Sequence, residues 1–143
     1  MTVGGNTSSG YVVDASVVLA VLLSEARRPE AEALLRKATL AGIMVPTHWP
    51  LEVGNILLTS ERRGTLTSDE RVTAITHLNA MRVRIDAETQ ARAWRDTMDL
   101  ALRHRLTLYD AAYLELAVRL RVPLATFDAA LARAAATEGV AVV

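Results

Sequence analysis

Two periods of apolar residues alternate along the chain. Short runs rich in Val and Ile read as buried strands: "YVVDA", "IMVP", "VRID", "PLATF" and a final "VAVV". Between them the apolar positions recur every three or four residues. "SVVLAVLL" follows the first strand as an apolar helix. "PEAEALLRKATLAG" places Ala31, Leu34, Leu35 and Ala38 on one helical face, with Pro29 and Gly42 as punctuation. Pro50 opens a helix that runs to Arg63 and stops at Gly64. Thr67 and Glu70 form a capping box for the next helix. From Ala87 a long amphipathic helix is expected. Ala87, Ala91, Trp94, Met98, Ala101 and Leu102 form its stripe, and Glu88/Arg92, Arg92/Asp96, Arg95/Asp99 and Asp99/Arg103 pair on the far side. Thr107 starts "TLYDAAYLELA", and Asp128 starts a last helix.

This alternation predicts an α/β fold: a central, mostly parallel sheet covered by helices on both faces, a three-layer α/β/α sandwich. Residues 11–143 form one domain, preceded by a flexible tail over 1–10, "MTVGGNTSSG". Right-handed crossovers bring the C-terminal ends of parallel strands to one edge, where such sheets bind ligands.

Composition narrows the chemistry. With 51% apolar and 22% charged residues, the 143-residue chain is ordinary globular material, and zero formal net charge announces no polyanion partner. The absence of Cys excludes disulfides, thiolate catalysis and Cys-based zinc sites. Of the 16 basic residues all but Lys37 are Arg, the side chain suited to bidentate contact with carboxylate or phosphate. The apolar stretch "VVLAVLL" is too short to span a bilayer and follows no basic segment, so a cytoplasmic location with no membrane partner is expected.

Four acids stand at element ends. Asp14 ends the first strand, Asp128 ends "PLATF", and Glu52 and Asp110 lie in the first turns of their helices. Singly, each fits a cap or a complement to a helix dipole. Together they fit capping less well, because Asp110 shares its helix side with Tyr113, Leu114 and Ala117, which read as buried. Glu115 falls on the opposite side, in line with Arg119, and is expected to be wet. Two like charges about 4 Å apart repel by roughly 4 kcal/mol at an effective dielectric near 20. If the four converge, a hard divalent cation such as Mg²⁺ or Mn²⁺ offsets that repulsion with oxygen ligands.

The segments "VVDASVVLAVLL", "PLEVGNILL", "LTLYDAAYLELA" and "PLATFDAALARAA", in this order, resemble the PIN-domain ribonucleases, and most closely the VapC-type toxins of toxin–antitoxin pairs. The resemblance implies a PIN-like sandwich and a Mg²⁺-dependent endoribonuclease, with Mn²⁺ as a substitute ion. Carried over by motif, Asp14, Glu52, Asp110 and Asp128 are the catalytic, metal-binding quartet, supported by Ser16, Asn55 and Thr126. It also implies water attacking phosphorus in line, with a 3′-hydroxyl leaving and a 5′-phosphate retained. The partners implied are RNA, a VapB-type antitoxin lying in a groove formed by the first helices and helix 51–63, and a second copy of the chain in a homodimer and in toxin–antitoxin hetero-oligomers.

Other residues are read more plainly. His48, His77 and His104 form no close pair and are taken as incidental. Arg62, Arg63, Arg103 and Arg105 are candidates for phosphate contacts or for solvated surface. Trp49 is a candidate for base stacking, whereas Trp94, Tyr109 and Tyr113 read as packing residues. Two other functions stay open. One is a non-catalytic PIN-like module that binds RNA or protein. The other is a receiver-like phosphoacceptor, disfavoured because the lone Lys37 sits in an early helix.

Overall fold

The computed structural model describes residues 9–23 and 26–143. Most of the expected tail lies outside them. Gly10 is described: it is buried at φ 141°, and a Cβ there would come within 2.8 Å of the Met44 side chain.

Four short strands form the sheet: β1 (Tyr11–Val13), β2 (Ile43–Val45), β3 (Val83–Ile85) and β4 (Leu124–Ala125), in the spatial order β3-β2-β1-β4. Every pairing is parallel, so the sheet is wholly rather than mostly parallel. In inner strand β1, Val12 and Val13 are fully buried, as a strand covered on both faces requires. The expected strand "VAVV" contracts to one parallel bridge, Leu124 with Val142. Edge strand β3 carries exposed Arg84, a charge that discourages pairing with a further strand.

Helices α1 (Ala15–Leu22) and α2 (Arg28–Ala41) link β1 to β2, and α3 (Trp49–Arg62) and α4 (Ser68–Ala80) link β2 to β3. Then α5 (Thr89–Arg92), α6 (Asp96–His104) and α7 (Leu108–Leu120) return the chain to β4, and α8 (Ala129–Thr137) follows. The first two crossovers step one way across the sheet and the third steps back past β1. Right-handed connections therefore set α1–α4 and α5–α7 on opposite faces, giving the three layers. The capping box of α4 forms as expected: the Thr67 hydroxyl accepts from Glu70 N, and the Glu70 carboxylate from Thr67 N.

Three expectations are corrected. The long helix from Ala87 breaks at Arg95 (φ −117°, ψ −106°) into α5 and α6. Restarting there turns Thr97, Leu100 and Ala101 inward and leaves Trp94 outside at 85% exposure, so Trp94 is not core. The pairs Glu88/Arg92 and Arg92/Asp96 nevertheless form. Glu115 is not wet: only 4% exposed, it lies in an α7 that is buried without interruption from Ala111 to Ala117. A helix enclosed on all sides has no solvated face, so the Glu115 carboxylate is satisfied by Arg119 Nε and Nη2, at 2.8 and 3.0 Å.

Candidate active site

Strand order reverses between β1 and β4, which makes their shared C-terminal edge the switch point of the sheet. Asp14 follows β1 there, and Thr126 to Asp128 follow β4. Asp14 is 5% exposed and caps α1. Its Oδ1 accepts from Ser16 N at 3.0 Å and Ser16 Oγ at 2.5 Å, and its Oδ2 accepts from Thr126 Oγ1 at 2.5 Å. Asp128 N donates to the same Thr126 hydroxyl at 3.0 Å, and Phe127 N to Ser16 Oγ at 3.0 Å. The two strand ends are thus laced into one polar knot. Burial nevertheless dominates and pushes the Asp14 carboxyl up to about 6, against the hydrogen bonds from Ser16 and Thr126.

Asp110 stands in the first turn of α7, where its N–H donates to the capping Thr107 hydroxyl at 3.1 Å. Its carboxyl is raised above the ordinary range, first by burial, then by the charges of Asp128 and Glu52. Those two acids are therefore close enough for their fields to reach it. Glu52, in the first turn of α3, accepts from the Tyr113 hydroxyl at 3.1 Å. The Tyr113 phenol is held far above its usual range by burial, then by Glu52, with smaller contributions from Asp14 and Asp110. Asp14, Glu52, Asp110 and Asp128 thus share one neighbourhood at the sheet edge. Among the described residues, no three His, Asp or Glu side chains are already closed around a metal position.

Of the supporting residues, Ser16 and Thr126 hold Asp14, whereas Asn55 is exposed on α3 and has no hydrogen bond to the acids among the described contacts. Asp128 also caps α8, accepting from Leu131 N at 2.8 Å. The capping roles are real, and the same carboxylates that cap also converge.

Sequence reasoning missed His48. Its Nε2 lies 3.5 Å from Glu52 Oε2, and its ring sits 5.5 Å from Tyr109 and 5.3 Å from Tyr113. The signal was the i,i+4 spacing of His48 and Glu52 across a helix start. Tyr109 is 66% exposed rather than packed, and Trp49 is buried rather than open to a base. Tyr113 is buried as expected, but its hydroxyl serves Glu52. Arg103 pairs with Glu138, which also accepts from His104 at 2.8 Å, while Arg62, Arg63 and Arg105 are exposed. Arg27 was not foreseen: its guanidinium lies 3.8 Å from the centroid of the Phe127 ring, between Thr126 and Asp128.

Comparison with known proteins agrees with this architecture. The PIN domain family model matches residues 11–137. Ribonuclease VapC3 of Pyrobaculum aerophilum is 34% identical over 121 residues, which cover 85% of this chain and 91% of that protein. Two crystal structures share the fold. PAE2754 from Pyrobaculum aerophilum has a TM-score of 0.62 at 23% identity, covering 97% of this chain and 93% of its own. Mycobacterium tuberculosis VapC20, described as a sarcin–ricin loop cleaving toxin, has a TM-score of 0.64 at 20% identity, covering 87% of this chain and 95% of its own. A sheet-edge cluster of acids in this sandwich, matched by the family model along nearly the whole described chain, makes this protein a member of the PIN-domain family.

Proposed function

We propose that this chain is a metal-dependent endoribonuclease and the toxin of a toxin–antitoxin pair. The observation that carries the proposal is the gathering of Asp14, Glu52, Asp110 and Asp128 at the switch-point edge, with Asp110 raised by burial and then by the charges of Asp128 and Glu52. The similarity to a VapC ribonuclease supplies the reaction class. The donor set is all oxygen, which suits Mg²⁺ or Mn²⁺. Asp14 and Asp110 would hold the ion, with Glu52 and Asp128 completing the site. When bound, such an ion supplies Lewis acidity toward a phosphoryl oxygen and eases the ionisation of water.

The chain's own groups prepare this edge. Ser16 and Thr126 fix both oxygens of Asp14, so its carboxylate does not swing. Tyr113 fixes Glu52 Oε1 and leaves Oε2 to the side of His48. Water attacks phosphorus, the bond to the 3′ oxygen breaks, and the products are a 3′-hydroxyl and a 5′-phosphate. Exposed Arg62, Arg63 and Arg105 suit contacts to flanking phosphates.

Two surfaces suit protein partners. A groove of about 430 Å³ runs between α1, α2 and α4, lined by Val21, Leu22, Glu32, Thr73, Ala74 and His77, and would take a segment of a VapB-type antitoxin. A mostly apolar pocket of about 250 Å³ near the acids, walled by Leu51, Ala93, Leu108 and Tyr109, adjoins the chain position of exposed Trp94 and would take a second copy of the chain. No helix among the described residues is long and apolar enough to cross a membrane.

The test is incubation of antitoxin-free protein with labelled total RNA, with Mg²⁺ or Mn²⁺ and with EDTA, beside Asp14→Asn. Discrete cleavage that needs metal and vanishes in the variant is the expected result. Folded protein that binds RNA without cutting under any condition would establish the binding-module reading instead.

A further inference from the structure

Helix α7 reaches the start of α3 twice. The direct contact is the Tyr113 hydroxyl on Glu52. The second route begins at the other end of α7. Arg119 Nη2 donates to Asp86 Oδ2 at 2.7 Å, just beyond β3. Thr89 Oγ1 donates to that same oxygen at 2.8 Å and accepts from Thr47 N at 3.1 Å. Thr47 Oγ1 in turn donates to the Asp86 carbonyl at 2.9 Å, and Asp86 N donates to Val45 O at 2.8 Å. Thr47, in the turn of Pro46, Thr47 and His48, is therefore held at its N–H by Thr89 and at its hydroxyl by Asp86, and α3 starts directly from that turn, with Glu52 in its first turn.

Arg119 itself is fixed. Its Nε donates to Glu115 Oε1, its Nη1 reaches Glu88 Oε2 at 3.2 Å, and its side chain is 14% exposed. A planar fork held from several sides has few alternative positions, so Asp86 is held in turn. Asp86 follows β3 at the same C-terminal sheet edge, and Thr89 lines the pocket beside His48 and Tyr109, but no contact with the reacting groups is assigned to them.

We infer that Arg119, Asp86 and Thr89 are positioning residues for Glu52, a hydrogen-bonded relay from the last turn of α7 that fixes the turn launching α3 and so aims the Glu52 carboxylate at Tyr113 and the acidic edge. The effect on turnover rests on the ribonuclease reading; the effect on structure does not.

The informative substitution is Thr89→Val, which keeps the shape, leaves the Arg119 ion pairs whole and cuts the relay at one hydroxyl. Thr89→Ser restores that hydroxyl. With a fluorophore–quencher RNA oligonucleotide that the wild type cleaves, Thr89→Val is expected to lower kcat by about tenfold with KM within about twofold. Thr89→Ser returns kcat to near the wild-type value. In ¹³C NMR spectra the ring resonances of Tyr113, which meets Glu52, shift in Thr89→Val and return in Thr89→Ser. Wild-type kcat and an unmoved Tyr113 resonance in Thr89→Val overturn the inference, as does a loss that Ser fails to rescue. If the wild type cleaves no RNA, the ribonuclease reading fails, and the Tyr113 resonance alone decides the relay.

Discussion

The two ends of α7 handle negative charge in opposite ways. At its head, Asp110 faces Asp128 and Glu52, and burial with their repulsion raises its carboxyl above the ordinary range. Toward its foot, Asp86 and Glu115 converge on Arg119. Burial would raise Asp86 as well, but hydrogen bonds from Arg119 and Thr89 outweigh it and hold its carboxyl below the ordinary range. Arg119 is stabilised as a cation, chiefly by Glu115 and then, against desolvation, by Asp86. Both regions are acid-rich, half-buried and built on the same helix. Only the one with arginine is complete as a piece of protein. The other keeps its carboxylates under mutual repulsion, an arrangement that folding alone does not favour and a cation would relieve.

The largest effect that tests this contrast is catalytic. Asp110→Asn removes one charge from the strained group, and RNA cleavage is expected to fall by about a thousandfold while the protein stays folded by circular dichroism. An Asp110→Asn protein that cleaves like the wild type would remove Asp110 from the site.

Next comes stability at the foot of the helix. Arg119→Met removes the arginine on which Asp86 and Glu115 converge, leaving Asp86 the Thr89 hydroxyl and Glu115 the more distant Arg92, and urea denaturation should show a loss of about 3 kcal/mol. An unchanged midpoint would mean that the arginine is not what makes this region tolerable.

Asp14 gives a pH signature of comparable size. Its carboxyl is raised from 3.8 to about 6 in the fold, so between those values the folded state binds the extra proton. The stability this confers is fully present below about pH 4 and is lost as pH rises through 6, by up to roughly 3 kcal/mol. In Asp14→Asn that slope should flatten, and in metal-free buffer at pH 7 the variant should be the more stable protein by about 2 kcal/mol. Parallel slopes in wild type and variant would contradict the assignment. The smallest effect is expected of Tyr113→Phe, which removes one hydrogen bond to a half-exposed Glu52 and should cost about 1 kcal/mol or less in thermal unfolding.

Much of this contrast could be read from the sequence at its head and little at its foot. The strand ends Asp14 and Asp128 were placed by topology: alternation predicts a parallel sheet, and a parallel sheet puts its carboxyl ends on one edge. Thr126 and Ser16 followed by motif. Glu115 went wrong because a helical wheel assigns one wet face, and α7 has none between Ala111 and Ala117. Its partners are Arg119 on the same helix and Arg92 from elsewhere in the chain, and no period in the sequence reports that meeting. Trp94 failed for a related reason. The stripe from Ala87 is continuous in sequence, but the break at Arg95 resets its phase, and no Gly or Pro marks the place. His48 needed knowledge of where the α3 start lies relative to Tyr109 and Tyr113.

The strand order has a consequence for how the molecule comes into being. Asp14 and the Thr126 hydroxyl that holds it are 112 residues apart in the chain, and β1 finds β4 only after the whole of α1 to α7 has been synthesised. Contacts of such long sequence separation form late and close large loops. On a translating ribosome, an N-terminal portion with β1, β2 and β3 already has Asp14 and Glu52 but lacks the strand that aligns them. The acidic edge is therefore assembled only once β4 and Thr126 have been made, and a shorter nascent chain, surrounded by the RNA of the machine that makes it, carries parts of the site without the site.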